Sequence, residues 1–145
     1  SKANPTEAGW VLKMAESILQ GGDIFPHEIG IISPYNGQVR AIRDLMESSG
    51  GMEDGGKWEG IEVKSVDGYQ GREKEVIILS AVRSNPEGNV GFLDDSRRLN
   101  VALTRAKRGL VVIGDPKTLR NQRDWDFWLT WVEQKNLIAW HLLQM

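Results

Sequence analysis

The order of apolar and polar positions along the chain predicts helices and strands in alternation. Apolar side chains recur at helical spacing after Asn4, a suitable N-cap because Pro5 follows it and Glu7 stands three residues later. Gly21 is expected to end this helix. Helices are predicted at about residues 4–20, 36–48, 95–107 and 124–135. Apolar runs predict strands at residues 29–33, 61–66, 75–82 and 110–113.

Strands that alternate with helices indicate a parallel sheet with right-handed crossovers. The expected fold is therefore an α/β domain with a mostly parallel sheet of about five or six strands flanked by helices. We expect one domain over residues 1–145, with residues 116–145 as a C-terminal helical extension. The Gly-rich residues 49–60 are expected to form a mobile loop.

Composition narrows the possible functions. The 145 residues are 40% hydrophobic and 26% charged, which is typical of a folded globular domain. The net charge of −2 provides no general attraction to nucleic acid, so any such contact must be local. The absence of cysteine excludes disulfides and cysteine–metal sites. No apolar run approaches the roughly 18 residues of a membrane span, so no membrane partner is expected.

One stretch nearly matches a nucleotide-binding phosphate loop. Residues 51–57 fit the pattern G-x-x-x-x-G-K, but Trp58 stands where a Mg²⁺-binding hydroxyl is required. Glu53 and Asp54 would repel a phosphate, and a predicted helix precedes the stretch where the motif requires a strand. The sequence therefore predicts that the chain has no phosphate cradle of its own.

The segment Asp67–Glu73 follows a predicted strand, where open parallel sheets commonly bind ligands. Gly68 and Gly71 permit close backbone approaches that a Cβ would prevent. The carboxylate of Glu73 is suited to accept a hydrogen bond from a ribose hydroxyl or a phosphate-bound water. The alternative is an ordinary connection between elements with solvated charges.

The predicted helix 95–107 has an apolar face and a basic flank. Arg98 and Arg105 are seven positions apart, so they are expected to lie along one side of this face. A guanidinium in that position is suited to bind a γ-phosphate and to neutralise charge during phosphoryl transfer. The alternative is a solvated or ion-paired arginine edge. The apolar face consists of Leu99, Ala102, Leu103 and Ala106.

Residues 33–38 (Ser-Pro-Tyr-Asn-Gly-Gln) lie between a predicted strand and the next helix. Hydroxyl, amide and backbone N–H groups at a helix N-terminus suit a phosphodiester, and Tyr35 is suited to stack on a base. Helix capping alone is the alternative interpretation.

Three segments in this order carry a resemblance to a known family. Residues 33–38, residues 65–73 (Ser-Val-Asp-Gly-Tyr-Gln-Gly-Arg-Glu) and residues 97–106 (Arg-Arg-Leu-Asn-Val-Ala-Leu-Thr-Arg-Ala) resemble motifs IV, V and VI of superfamily-one helicases. The resemblance covers residues 4–115 and is strongest to the group of the nonsense-mediated-decay RNA helicase and Senataxin-like helicases. Tyr69 stands where that group commonly has Phe. The segment Asn4-x-x-Glu7-Ala8 also resembles the stretch that precedes motif IV there.

The resemblance implies the second, C-terminal RecA-like domain of a motor that uses ATP to move 5′-to-3′ along single-stranded RNA or DNA. It implies catalytic roles for Arg105, as arginine finger, and for Glu73, as the motif V carboxylate. The expected ATP-binding residues are Gly71, Gln70, Arg72 and Arg98. The positions expected along the nucleic-acid track are Ser33, Pro34, Tyr35, Gln38, Ser65 and Val66.

The same resemblance implies ATP and Mg²⁺ as cofactors, with the Mg²⁺ ligands in an upstream RecA-like domain of the same protein. The expected partners are that domain and single-stranded RNA or DNA, in an intracellular protein of the cytoplasm or nucleus. The chain alone is expected to be inactive. The rival hypothesis is a non-catalytic helicase-like module that binds proteins, with Trp131 and Trp140 as anchors. A stand-alone phosphate-binding domain is disfavoured by the lack of a cradle.

Overall fold

The computed structural model describes residues 3–69, 73–82 and 105–114. In these residues an N-terminal helix is followed by strands and one further helix. The longer elements are α1 (Pro5–Gln20), β1 (Ile29–Ser33), α2 (Asn36–Ser48), β2 (Glu62–Ser65), β3 (Lys74–Ser80) and β4 (Ala106–Ile113). Two short 3₁₀ helices, Pro26–Glu28 and Asp67–Tyr69, precede β1 and follow β2.

The described strands form one four-stranded sheet in the order β2-β1-β3-β4. All three neighbouring pairs are parallel. This confirms the predicted α/β fold with a parallel sheet. The predicted helix 124–135, the extension 116–145 and most of the predicted helix 95–107 lie outside the described residues.

The first helix begins where its sequence signature predicts. Asn4 has an extended backbone (φ −137°), and its side chain accepts a hydrogen bond from the Glu7 N–H at 3.0 Å. Pro5 occupies the first turn, and Gly21 caps the C-terminal end. The cap satisfies a backbone donor that has no partner inside the helix, which explains why the helix starts here.

Helices α1 and α2 pack together on one face of the sheet. Val11 and Ala15 of α1 and Ile42 and Met46 of α2 are all completely buried. Every residue of β1 is buried because this strand lies inside the sheet, and that burial explains its uninterrupted apolar run.

The Gly-rich segment 49–60 forms a set of hydrogen-bonded turns. The Lys57 N–H donates to the Gly50 carbonyl at 3.0 Å. Trp58 is only 2% exposed, and its indole N–H donates to the Ser49 hydroxyl oxygen at 3.1 Å. The Lys57 ammonium lies 2.7 Å from a carboxylate oxygen of Glu16. Because α2 directly precedes these turns, the near-match to a phosphate loop has a helix where that motif needs a strand.

The prediction that a helix extends to Lys107 is wrong. Ala106 and Lys107 belong to β4, and Ala106 lies opposite Lys74 in the parallel pairing with β3. The strand is therefore longer than the predicted 110–113. Pairing with β3 decides the conformation here, since long-range contacts override a local helical pattern.

Candidate functional site

The two predicted catalytic residues lie beside each other at the amino end of the sheet. Glu73 is exposed and immediately precedes β3, and the partly buried Arg105 immediately precedes β4. The Arg105 carbonyl accepts a hydrogen bond from the Lys74 N–H at 3.0 Å. A carboxylate and a guanidinium are thus presented from adjacent chain segments. This pair is the candidate catalytic centre.

This position differs from the one that the sequence predicts. Asp67 follows β2 at the carboxyl end of the sheet, but Glu73 lies at the opposite end. β2 and β3 run parallel, so the end of β2 and the start of β3 lie at opposite ends of the sheet. Arg105 itself directly precedes β4 and is not helical, and the expected alignment of Arg98 with Arg105 stays a prediction. Arg98 lies outside the described residues.

The side chain of Tyr69 reaches back towards the amino end of the sheet. It is fully buried, and its hydroxyl donates to the Glu62 carbonyl at 2.7 Å. Glu62 is the first residue of β2, so the Tyr69 ring reaches back towards the amino end. Gly30 of β1 makes room for the ring, because a Cβ on Gly30 would lie 2.6 Å from the Tyr69 hydroxyl oxygen.

A second charged pair lies near the candidate centre on β3 and β4. The Arg108 guanidinium Nε is 2.6 Å from a carboxylate oxygen of Glu75, and its Nη2 is 3.8 Å from Glu28. The hydrogen bond from Arg108 holds the pKa of the Glu75 carboxyl below its ordinary value. The same bond raises the pKa of Arg108. Both groups therefore stay charged near neutral pH, and they link β3 and β4 to Glu28, the residue directly before β1.

The predicted nucleic-acid residues lie at the carboxyl end of the sheet. Ser33 ends β1 and is completely buried, with its hydroxyl oxygen accepting from the Tyr35 N–H at 3.4 Å. Pro34 is also buried, whereas Tyr35 is partly exposed and caps α2. Among the three expected track residues before α2, Tyr35 is therefore the one with an accessible side chain.

The expected track residues at the end of β2 divide in the same way. Ser65 is partly exposed, and its hydroxyl oxygen accepts from the Gly68 N–H at 3.4 Å. Val66 is completely buried. Ser65 and Tyr35 therefore have accessible side chains, and Val66 belongs to the core. Three of the predicted ATP-binding positions, Gln70, Gly71 and Arg72, lie outside the described residues.

The geometry does not support a direct contact between Gln38 and nucleic acid. Gln38 is 0% exposed. Its side-chain oxygen accepts from the Asn4 N–H at 2.7 Å, and its Nε2 donates to the Asn4 carbonyl at 3.2 Å and to the Ser80 hydroxyl oxygen at 3.1 Å. Buried amides are normally saturated in this way, so this side chain holds the starts of α1 and α2 to the end of β3.

Glu7 is a residue whose role the sequence did not predict. In the sequence it only supports Asn4 as the N-cap, three residues earlier, but in the structure the Asn4 N–H bonds to Gln38. Glu7 is 1% exposed, and its Oε2 accepts from the Ser80 hydroxyl and from the Val82 N–H. An acidic residue in a first helical turn indicates capping, and that indication concealed the long-range role. The sequence feature that pointed to a further role for Glu7 was the resemblance of residues 4–8 to the helicase segment that precedes motif IV.

Two absences hold for the described residues. None of their helices has the length and hydropathy needed to cross a membrane. Within residues 3–69, 73–82 and 105–114, no three His, Asp or Glu side chains are grouped so that they can hold a metal ion.

Comparison with known proteins places the chain in a family. The family model described as "AAA domain" matches residues 1–117. The chain belongs to the AAA domain family. This AAA domain is RecA-like, in agreement with its parallel sheet and with the motif order read from the sequence.

Several curated proteins are similar to this AAA domain. It is 44% identical over 136 residues to a Regulator of nonsense transcripts 1 homolog of Drosophila melanogaster, covering 94% of this chain and 11% of that protein. It is 48% identical over 130 residues to the Arabidopsis thaliana homolog, covering 90% and 10%. It is 42% identical over 136 residues to the ATP-dependent helicase upf1 of Schizosaccharomyces pombe, covering 94% and 14%. These relatives confirm the resemblance to helicases of the nonsense-mediated-decay group, and the chain spans 10% to 14% of their lengths.

Proposed function

We propose that this AAA domain is the second RecA-like domain of a longer motor that uses ATP to move 5′-to-3′ along single-stranded RNA or DNA. Support comes from the order of the three helicase-like segments and from relatives that include an ATP-dependent helicase. The observation that carries the proposal is the adjacency of Glu73 and Arg105 at the amino end of the sheet.

This arrangement suits one wall of an ATP site between two domains. Arg105 acts as an arginine finger, because its guanidinium neutralises charge that develops on the γ-phosphate. The exposed carboxylate of Glu73 accepts hydrogen bonds from the ribose or from a phosphate-bound water. The upstream RecA-like domain supplies the phosphate cradle and the Mg²⁺ ligands. The proposed ATP-binding residues on this chain are completed by Gln70, Gly71, Arg72 and Arg98.

The nucleic-acid track lies at the other end of the sheet in this proposal. Tyr35 stacks on a base, and Ser65 contacts the backbone of the single strand. The buried residues Ser33, Pro34 and Val66 shape the loops that present these side chains. Gln38 contributes by fixing the start of α2.

The proposal is tested by Arg105→Ala in the complete motor. The expected result is a fall in the ATPase kcat of about 10³-fold, because this charge acts mainly in the transition state. Binding of single-stranded RNA without nucleotide should stay close to the wild-type value. Arg40→Ala removes an exposed arginine of α2 and is the matched control. An Arg105→Ala variant that hydrolyses ATP at the wild-type rate contradicts the proposal.

A further inference from the structure

We propose that Lys74 is a positioning residue for the Glu73 and Arg105 pair and that it acts through Glu62. The proposal rests on the function proposed above and adds residues that neither the motifs nor the comparisons single out. Lys74 is not expected to touch ATP. Its contribution is to fix the place from which the two catalytic side chains project.

The backbone of Lys74 joins the two catalytic residues. Lys74 directly follows Glu73 in the chain, and its N–H donates to the Arg105 carbonyl at 3.0 Å. It also lies opposite Ala106, the first residue of β4. A displacement of Lys74 along the sheet therefore changes the position of Glu73 relative to Arg105.

The side chain of Lys74 crosses β1 and is anchored on the far side. Its ammonium lies 3.1 Å from Oε1 of Glu62 and donates to the His27 carbonyl at 2.9 Å. The Lys74 side chain is only 13% exposed, so this ion pair is screened less by solvent than a surface pair. Gly30 makes the crossing possible, since a Cβ there would lie 2.9 Å from Cγ of Lys74.

Glu62 holds both ends of the segment that carries Glu73. Its backbone carbonyl accepts from the Tyr69 hydroxyl at 2.7 Å, and its carboxylate binds Lys74. Tyr69 directly precedes residues 70–73, and Lys74 directly follows them. One residue of β2 therefore bonds to the residue before this segment and to the residue after it.

The energetic consequence falls mainly on the chemical step. Transition-state stabilisation depends on placement to within a fraction of an ångström, whereas ground-state binding of ATP uses many contacts. Loss of the Lys74 anchor is therefore expected to lower kcat more than it raises the KM for ATP.

The test is a double-mutant cycle in the complete motor with saturating single-stranded RNA. Lys74→Met and Glu62→Gln should each lower kcat by about 10-fold to 10²-fold. The double variant should be no slower than the slower single variant, because both changes break the same link. Lys74→Arg keeps the positive charge and should recover part of kcat.

Two controls isolate the link. Lys57→Met removes an ammonium that lies 2.7 Å from a carboxylate oxygen of Glu16. This ion pair is away from the candidate centre. Lys64→Met removes the ammonium 3.5 Å from the other carboxylate oxygen of Glu62. Both variants should keep kcat close to the wild-type value.

The outcomes separate this inference from the proposed function. Wild-type kcat in Lys74→Met, together with loss of activity in Arg105→Ala, overturns the inference alone. Fully multiplicative effects in the double variant overturn the role of Glu62. Thermal unfolding and RNA binding are measured alongside, and a parallel loss of Tm, RNA binding and kcat indicates a purely structural role. If Lys74→Met does not fold, the nearly isosteric Glu62→Gln decides by the same readouts.

Discussion

The carboxylate of Glu7, in the first turn of α1, accepts a hydrogen bond at 2.8 Å from the backbone N–H of Val82, 75 residues later in the chain. Val82 has a φ of +57°, a conformation that β-branched residues rarely adopt. Such a backbone persists only where its surroundings hold it in place. Glu7 therefore fixes the direction in which the chain leaves β3.

Replacement of Glu7 by Ala is expected to lower the free energy of unfolding by about 2–4 kcal/mol. The change leaves the buried Ser80 hydroxyl and the partly buried Val82 N–H without their carboxylate acceptor. Urea denaturation of the chain provides the measurement. Glu16→Ala in the same helix is the control, since Glu16 forms an exposed ion pair and should contribute less than about 1 kcal/mol. Equal losses of unfolding free energy in the two variants would show that the buried Glu7 contacts stabilise the fold no more than an exposed ion pair does.

Gly30→Ala is expected to destabilise the chain by about 1–3 kcal/mol through overpacking. The new Cβ would lie 2.6 Å from the Tyr69 hydroxyl oxygen and 2.9 Å from Cγ of Lys74. Tyr69→Phe alone should cost about 0.5–1.5 kcal/mol through its lost hydrogen bond. In the Gly30→Ala background it should cost less, because removal of the hydroxyl relieves one of the close contacts.

Thermal and urea unfolding of the four chains in this cycle measure the coupling. Gly9→Ala is the control for a change of the same chemistry, since nothing lies within 4 Å of a Cβ at Gly9. Gly9 is inside α1, so alanine there should stabilise by roughly 0.5–1 kcal/mol. Strictly additive effects of Gly30→Ala and Tyr69→Phe would mean that the two residues do not compete for space.

Tyr35→Ala is expected to weaken the binding of single-stranded RNA to the complete motor by about 1–3 kcal/mol if the ring stacks on a base. Tyr35→Phe keeps the ring and should bind nearly as well as the wild type. Fluorescence anisotropy with a labelled oligonucleotide measures both affinities. Unchanged affinity in Tyr35→Ala would leave Tyr35 with a capping or packing role alone.

The pairing of Glu75 with Arg108 predicts a dependence on pH. The pKa of Glu75 in the folded chain is lower than its ordinary value of 4.5, so the pair stabilises the fold above that value. This contribution disappears as the pH falls through the lowered pKa. Arg108→Met should raise the pKa of Glu75 towards 4.5, which an NMR titration of the side-chain carboxyl carbon measures.

Salt provides the check on this interpretation. The Arg108 side chain is 57% exposed, so added salt should reduce the difference between the wild-type and variant titrations. Identical titration of Glu75 in the two proteins at low salt would remove Arg108 as the cause.

The sequence predicts those parts of the fold that depend on local chemistry. Asn4 and Pro5 define the start of α1, and the run at 29–33 matches β1 at both ends. The end of the predicted helix at Lys107 was wrong because pairing with Lys74 extends β4 towards its amino end. Such pairing joins residues that are far apart in the chain, and no local pattern encodes it.

The sequence proposes residues for the candidate site but does not predict their place in the fold. Motif order singles out Glu73 and Arg105 as candidates, whereas their position at the amino end of the sheet depends on the pairing of β3 with β4, which joins distant parts of the chain. The burial of Glu7 and Gln38 was not predictable from periodicity, since both are polar residues in helical first turns. Both side chains bond to Ser80 of β3, which becomes their neighbour only in the folded chain.

The seven residues of β3 run from Lys74, beside Arg105, to Ser80, which bonds to Gln38 near the proposed track. At about 3.3 Å per residue this strand is roughly 20 Å of extended backbone. Its last five residues are buried between neighbouring strands, which leaves little room for internal bending. Under the proposed function, a movement driven by nucleotide binding at the amino end would therefore displace the sheet as a rigid unit. The single strand bound at the carboxyl end would move with it.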